Sequence, residues 1–162
     1  MKYGGIEMKY KWEMETPIGK IVIAESDGAI SHLLFYDDKR LAGYETKETP
    51  GIKKAEKQLK DYFEGKRTEF DLPLYMDGTD FQKSVWGALQ KIPYGETRSY
   101  KEIAEQIGNP KAVRAVGLTN GKNPISIIVP CHRVIGSNGK LTGYAGGLGI
   151  KDYLLKLEEP KK

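Results

Sequence analysis

The chain has 162 residues, 39% of them hydrophobic and 30% charged, with Lys+Arg 26 against Asp+Glu 22 and a formal net charge of +4. That length supports a real hydrophobic core, in one large domain or two small ones. No apolar run approaches the roughly 18 residues of a membrane span, one cysteine excludes an internal disulfide, and one cysteine with two histidines argues against a zinc site.

The start, Met1-Lys2-Tyr3-Gly4-Gly5, lacks the continuous apolar segment of a secretory signal, so a cytoplasmic protein is expected. From there, residues 8–16 alternate as a strand, with Met8, Tyr10, Trp12 and Met14 on one face. Pro17-Ile18-Gly19 marks a turn, residues 20–24 are strand-like, and Asp27-Gly28 is a hairpin turn leading into a strand over 30–36. Residues 37–51 are polar and irregular. A helix over 52–64 places Ile52, Ala55, Leu59 and Phe63 on one face and stops at Gly65. His32 falls in a strand and reads as structural. The pattern weakens over 66–78, and Asp77-Gly78 marks a domain boundary.

Charge divides at that boundary. Residues 1–77 hold 13 Lys/Arg and 15 Asp/Glu, whereas residues 78–162 hold 13 and 7. Between Thr97 and Ile150 seven basic residues face only Glu102 and Glu105. A localised basic surface suits a polyanion, nucleic acid first, although a lysine-rich chain can be basic without a partner.

The second half reads as helical. Asp80 can cap a helix whose apolar stripe is Phe81, Val85, Ala88, Leu89 and Ile92, ended by Pro93-Tyr94-Gly95. Ser99-x-x-Glu102 is a capping box, opening a short helix with Tyr100, Ile103, Ala104 and Ile107 on one face. Gly108 ends it, and Asn109 as cap with Pro110 at the first helical position opens the next, the outline of a helix-turn-helix. The second helix, 110–120, divides into an inner face of Ala112, Val113 and Val116 and an outer face of Lys111, Arg114, Ala115 and Leu118. Two cations beside small or smooth residues can approach a nucleic-acid groove closely. The same pattern also fits a solvated face.

After the loop Gly121-Lys122-Asn123-Pro124, the apolar run 125–129 reads as a buried strand leading into Pro130-Cys131-His132-Arg133-Val134. A thiol is nucleophilic only as thiolate, and a free cysteine with a pKa of about 8.5 is mostly protonated at neutral pH. It needs a base or a cation, and His132 and Arg133 follow directly. On these five residues alone, a small hydrophobe closing a strand is an equally good reading. Residues 136–139 form a turn, and Gly143-Tyr144-Ala145-Gly146-Gly147 is a loop whose backbone can approach a bound group closely. It lacks the strand and downstream acid of a dinucleotide fingerprint. The last helix, 148–158, carries Ile150, Tyr153, Leu154 and Leu157, with Glu158 at the edge of the stripe. That carboxylate is a surface acid unless it has a partner.

In this order the motifs resemble the O6-alkylguanine-DNA alkyltransferases, also called methylated-DNA–protein-cysteine methyltransferases. The resemblance runs over about residues 81–158, through Ile92-Pro93-Tyr94-Gly95-Glu96-Thr97, Ser99-Tyr100, Gly108-Asn109-Pro110-Lys111-Ala112-Val113-Arg114-Ala115-Val116-Gly117, Asn123-Pro124, Ile128-Val129-Pro130-Cys131-His132-Arg133-Val134 and Tyr144-Ala145-Gly146-Gly147-Leu148. The first half matches only in general pattern. The resemblance implies an α+β fold: a ribonuclease H-like sheet-plus-helix domain over 1–77, then a mostly helical, winged helix-turn-helix domain over 78–162 that binds DNA and accepts the alkyl group.

It further implies a single-turnover reaction in which the alkyl group of O6-alkylguanine moves irreversibly to Cys131. His132, reached through a water, and Glu158 complete the relay, and Tyr100 donates toward N3 of the flipped base. Arg114 fills the place that the base vacates. Lys111, Ala115, Leu118 and Tyr100 meet the minor groove, and Val134, Tyr144, Ala145 and Gly146 line the pocket. Asn123 ties the helix-turn-helix to the cysteine segment. Ala145 stands where many relatives carry serine, leaving contacts to guanine's oxygen to the loop's backbone amides. The expected partner is double-stranded DNA containing O6-alkylguanine, bound by a monomer without cofactor, metal or membrane. Strand geometry at Cys131 and His132 would hold the two side chains apart, with room for the water.

Two other functions use the same features. An alkyltransferase-like lesion-binding module would lack the acceptor cysteine. A cysteine hydrolase would have no use for a basic helix carrying Arg114, and would turn over an ester or amide.

Overall fold

The computed structural model describes Lys2–Tyr3 and residues 6–160. A short antiparallel pair, β1 (Lys2–Tyr3) and β2 (Ile6–Glu7), precedes a four-stranded sheet. Its strands are β3 (Lys9–Thr16), β4 (Gly19–Ser26), β5 (Ala29–Leu34) and β6 (Glu45–Thr46), in the order β5-β4-β3-β6. The β4–β5 hairpin closes at Asp27 and Gly28, both at positive φ (51° and 85°), a turn whose twist matches that of the strands it joins. Along β4 successive side chains take opposite faces, and both faces are covered. Val22 and Ala24 pack with Leu34, Leu41 and Tyr44, while Ile21 and Ile23 are buried on the other side.

Helix α1 (Pro50–Phe63) packs on β3, β4 and β5. It begins two residues earlier than the periodicity suggests because Thr49 accepts a hydrogen bond from Ile52 N and Pro50 supplies a preset first turn. His32 is half-buried, edge-on to Tyr44, with Nδ1 on Ser31 Oγ: a structural residue. The chain divides into two units, Met1–Met76 and Asp77–Lys162.

The second unit opens with α2 (Asp80–Gln90). Its cap is Thr79, not Asp80: Thr79 Oγ1 accepts from Gln82 N at 3.1 Å and Gln82 Oε1 accepts from Thr79 N at 3.0 Å. Asp80 is the first helical residue, where a carboxylate suits the positive end of the helix dipole. β7 (Arg98–Ser99) leads into α3 (Tyr100–Gln106) through the expected Ser99–Glu102 capping box. α4 spans Val113–Gly121, later than expected, because Asn109 does not cap it. Asn109 O instead accepts from Ala112 N at 3.0 Å, closing a turn around Pro110 and Lys111. Val113 therefore sits at the helix entrance, 37% exposed rather than inward. Trp86 Nε1 donates to Thr119 O at 3.1 Å and ties α2 to α4.

Residues 125–130 are not a strand. Cys131–Arg133 form a single 3-10 turn, followed by β8 (Val134–Ile135), which pairs in parallel with β7. α5 (Leu148–Leu157) ends the described fold, with Glu158 as its C-cap. Among the described residues no helix is long and apolar enough to cross a membrane.

Candidate active site

Asn123 explains why an apolar run that reads as a strand becomes a buried turn. Its Nδ2 donates to Val129 O at 2.7 Å and Ile125 O at 3.4 Å, and its Oδ1 accepts from Ile125 N at 3.0 Å. One side chain thus satisfies three backbone groups that a strand would have paired with a neighbour. Ile127 takes φ of 73°, a strained conformation for a β-branched residue. The turn delivers Cys131 into the interior, 3% exposed, and Asn120 Nδ2 donates to Cys131 O at 3.4 Å.

The thiol lies among Ser126, Asn123 and Tyr144. Burial pushes its pKa up, and hydrogen bonds from Asn123 and Ser126 with the charge of Lys151 offset this only in part. The resting group is a thiol, so activation requires a base.

His132 is 0% exposed, and its Nε2 lies 2.7 Å from Glu158 Oε2. Burial raises the Glu158 carboxyl, but hydrogen bonds from His132 and Arg133 outweigh it and hold the pKa at about 2. Arg133 donates from Nε to Glu158 Oε1 (2.7 Å) and from Nη2 to Oε2 (3.0 Å), and from Nη1 to Ile92 O (2.7 Å). An ionised carboxylate only accepts, so His132 must carry its proton on Nε2. Burial lowers the imidazole pKa despite the opposing pull of Glu158. The neutral ring therefore presents an unprotonated Nδ1, which has no hydrogen-bond partner among the described residues. That nitrogen is a proton acceptor held in one orientation from behind.

Glu158 is thus no surface acid; it is 1% exposed and fully engaged. Gly95 makes room for it: at φ 82°, a Cβ there would lie 3.1 Å from Glu158 O.

The β7–β8 pairing places Ser99 opposite Ile135 and so sets the start of α3 beside the cysteine segment. Tyr100 packs its ring over Gly117 of α4, and its hydroxyl hydrogen-bonds Thr142 Oγ1. Lys151 is 0% exposed and donates to Val134 O at 2.6 Å. Val134 is buried, Tyr144 lies beside the thiol with its pKa raised well above the usual by burial and the neighbouring Cys131, and Ala145 and Gly146 form the turn closed by Gly147 N on Tyr144 O. Arg114, Ala115 and Leu118 are exposed along α4, and Lys111 is exposed in the turn before it.

Several of these partners escape sequence reasoning. Arg133 completes the Glu158 pocket rather than activating the thiol. Lys151 lies seven residues before Glu158 and three before Leu154, so its place on the buried stripe is readable from spacing. Expected inward on the same helix, Tyr153 is 38% exposed. The 3-10 turn also replaces the strand geometry expected at Cys131 and His132; the orientation of His132 comes from Glu158 instead.

Residues 80–160 match the family described as 6-O-methylguanine DNA methyltransferase, DNA binding domain, and residues 8–76 match its ribonuclease-like domain. A methylated-DNA–protein-cysteine methyltransferase of Methanosarcina barkeri is 56% identical over 154 residues, covering 90% of this chain and 94% of the relative. The constitutive Bacillus subtilis protein of the same name is 49% identical, covering 93% and 96%. A crystal structure of Mycobacterium tuberculosis OGT in complex with DNA superposes with a TM-score of 0.87 at 51% identity, covering 93% of this chain and 92% of that one. With both halves matched and relatives this similar over nearly their full length, the chain belongs to the methylated-DNA–protein-cysteine methyltransferase family.

Proposed function

We infer that this protein repairs DNA by direct reversal, moving the alkyl group of an O6-alkylguanine onto its own Cys131. The observation that carries this reading is the buried thiol next to a neutral His132 whose Nδ1 is unpaired among the described residues and whose Nε2 is fixed by an ionised Glu158. Residues 78–162 form the DNA-binding and acceptor domain, and residues 1–77 the accompanying ribonuclease-like domain.

The target base must leave the stack to reach a thiol this deep. The exposed face of α4 enters the minor groove, where Ala115 and Leu118 allow close approach, Lys111 neutralises phosphate, and Arg114 fills the vacated place. Val134, Tyr144, Ala145 and Gly146 surround the extruded base, and Asn123 holds the acceptor turn to the helix-turn-helix. The thiol proton passes through a water to His132 Nδ1, and Glu158 favours the imidazolium that results. Sulfur then attacks the alkyl carbon. The S–C bond forms as the C–O6 bond breaks, and its electron pair stays on the purine. Tyr100 donates a hydrogen bond to N3 as that charge develops. A proton matching the one lost by the thiol completes neutral guanine. The product is a thioether, which the site has no means to reverse.

An acceptor that must remain a free thiol suits a reducing compartment, which supports a cytoplasmic location. The protein acts as a monomer, without a cofactor.

Intact-protein mass after incubation with excess duplex containing O6-methylguanine tests the reaction. One methyl per chain, mapped to the Cys131 peptide, is expected; more than one repaired base per protein overturns the sacrificial mechanism. Arg114→Ala should slow transfer from duplex on the order of tenfold or more, the size of a lost specific arginine contact, while leaving transfer from the free base unchanged. Equal losses on both substrates would remove Arg114 from base extrusion.

A further inference from the structure

We infer that Thr142 is a positioning residue for the hydrogen bond that Tyr100 donates, so that the loop before Gly143 helps set how good a leaving group the purine becomes. The inference rests on the reading of Tyr100 given above. Three contacts carry it. Tyr100 hydroxyl and Thr142 Oγ1 are hydrogen-bonded. Lys151 Nζ lies 3.4 Å from Thr142 Oγ1 and 3.4 Å from Thr142 O. The same Nζ is anchored at 2.6 Å on Val134 O, one residue beyond the Cys131–Arg133 turn.

One proton arrangement of this chain frees Tyr100 to donate to the base. Lys151 faces three oxygens, and an ammonium has three donors and no lone pair. In that arrangement Thr142 Oγ1 accepts from Lys151 and gives its own proton to the Tyr100 oxygen. The phenolic proton of Tyr100 is then directed to another acceptor. A hydroxyl that accepts from a donor which itself accepts from a cation becomes a stronger donor, because each bond polarises the next. Lys151 and Thr142 keep their own protons throughout. Their effect falls on the purine nitrogen that gathers charge as the C–O6 bond breaks.

This predicts a dependence on substrate that loop packing alone would not produce. Thr142→Val keeps the shape and removes the hydroxyl; Thr142→Ser keeps the hydroxyl. Single-turnover transfer is measured from duplexes carrying O6-methylguanine or O6-methyl-3-deazaguanine, which lacks the N3 acceptor. Thr142→Val should slow transfer from O6-methylguanine roughly threefold to tenfold, the size of one lost hydrogen bond. Thr142→Ser should restore the rate, and the Thr142→Val penalty should vanish on the 3-deaza duplex. Equal penalties on both duplexes, or none on either, would overturn the inference. Tyr100→Phe separates the two levels: a slow Tyr100→Phe with an unimpaired Thr142→Val defeats only the Thr142 role. An unimpaired Tyr100→Phe defeats the reading of Tyr100 beneath it.

Discussion

Cys131→Ser protein is expected to bind duplex DNA with unchanged affinity and to take up no alkyl group. The substitution removes one atom's chemistry with little change in shape. Its hydroxyl would meet Ser126, Asn123 and Tyr144, the groups that surround the thiol, so the buried polar atom need not stay unpaired. Chemically the loss is complete. The resting thiol is already pushed up by burial, and His132 can still generate a thiolate, the strong nucleophile. An alcohol at the same place is a far weaker acid and yields almost no alkoxide to the same neutral imidazole. Incubation with duplex carrying a labelled methyl on O6, followed by a protein-bound count, measures the result. Label on the Cys131→Ser protein would move the acceptor elsewhere. Loss of DNA binding would mean that the turn, not only the sulfur, had been lost.

How much of this was legible in the sequence depended on whether the deciding contacts were local. The Asp27-Gly28 turn and the Ser99–Glu102 capping box are chemistry between near neighbours, and both appear as expected. The α+β fold and the outer face of α4 follow from periodicity and from the family motifs. What failed was decided by one side chain or one backbone turn acting across residues. Apolarity over 125–129 predicts burial correctly, but Asn123 bends the segment into a turn. A cap at Asn109 is good local chemistry, yet the turn from Asn109 to Ala112 delays α4 to Val113. Arg133 follows the cysteine in sequence and suggests thiol activation, but 25 residues on, Glu158 claims it. The resemblance supplied Glu158; only the packing shows that the carboxylate holds Arg133 as well as His132.

Holding both His132 and Arg133 makes Glu158→Gln the substitution with the widest expected consequences. At neutral pH it leaves the buried Arg133 guanidinium without its countercharge, and breaking a buried pair in this way costs about 3 to 5 kcal/mol. The acid limb of the stability curve should change shape as well. Glu158 has a folded pKa of about 2 against an ordinary 4.5. A depressed carboxylate pKa contributes stability that is fully present above the unfolded value and is lost as pH falls through the folded one. From that shift the contribution is about 3 kcal/mol, lost as pH falls from roughly 4.5 toward 2. His132 adds a separate step: burial lowers its pKa below the ordinary 6.5, so its share is present above that value and declines below it. Denaturant unfolding from pH 7 to pH 2 should therefore show a smaller loss of stability between about pH 4.5 and 2 in Glu158→Gln than in the native protein. Catalysis should fall too. The amide oxygen introduced by Glu158→Gln can still accept from His132 Nε2, but it no longer favours the imidazolium formed when Nδ1 takes the thiol proton. A loss of about a hundredfold, the low end for removal of a general base, is expected in the single-turnover rate at pH 7, with duplex affinity unchanged. An unchanged rate would separate Glu158 from proton transfer and leave it a purely structural clamp on Arg133, whereas an unchanged acid limb would contradict the depressed carboxyl itself.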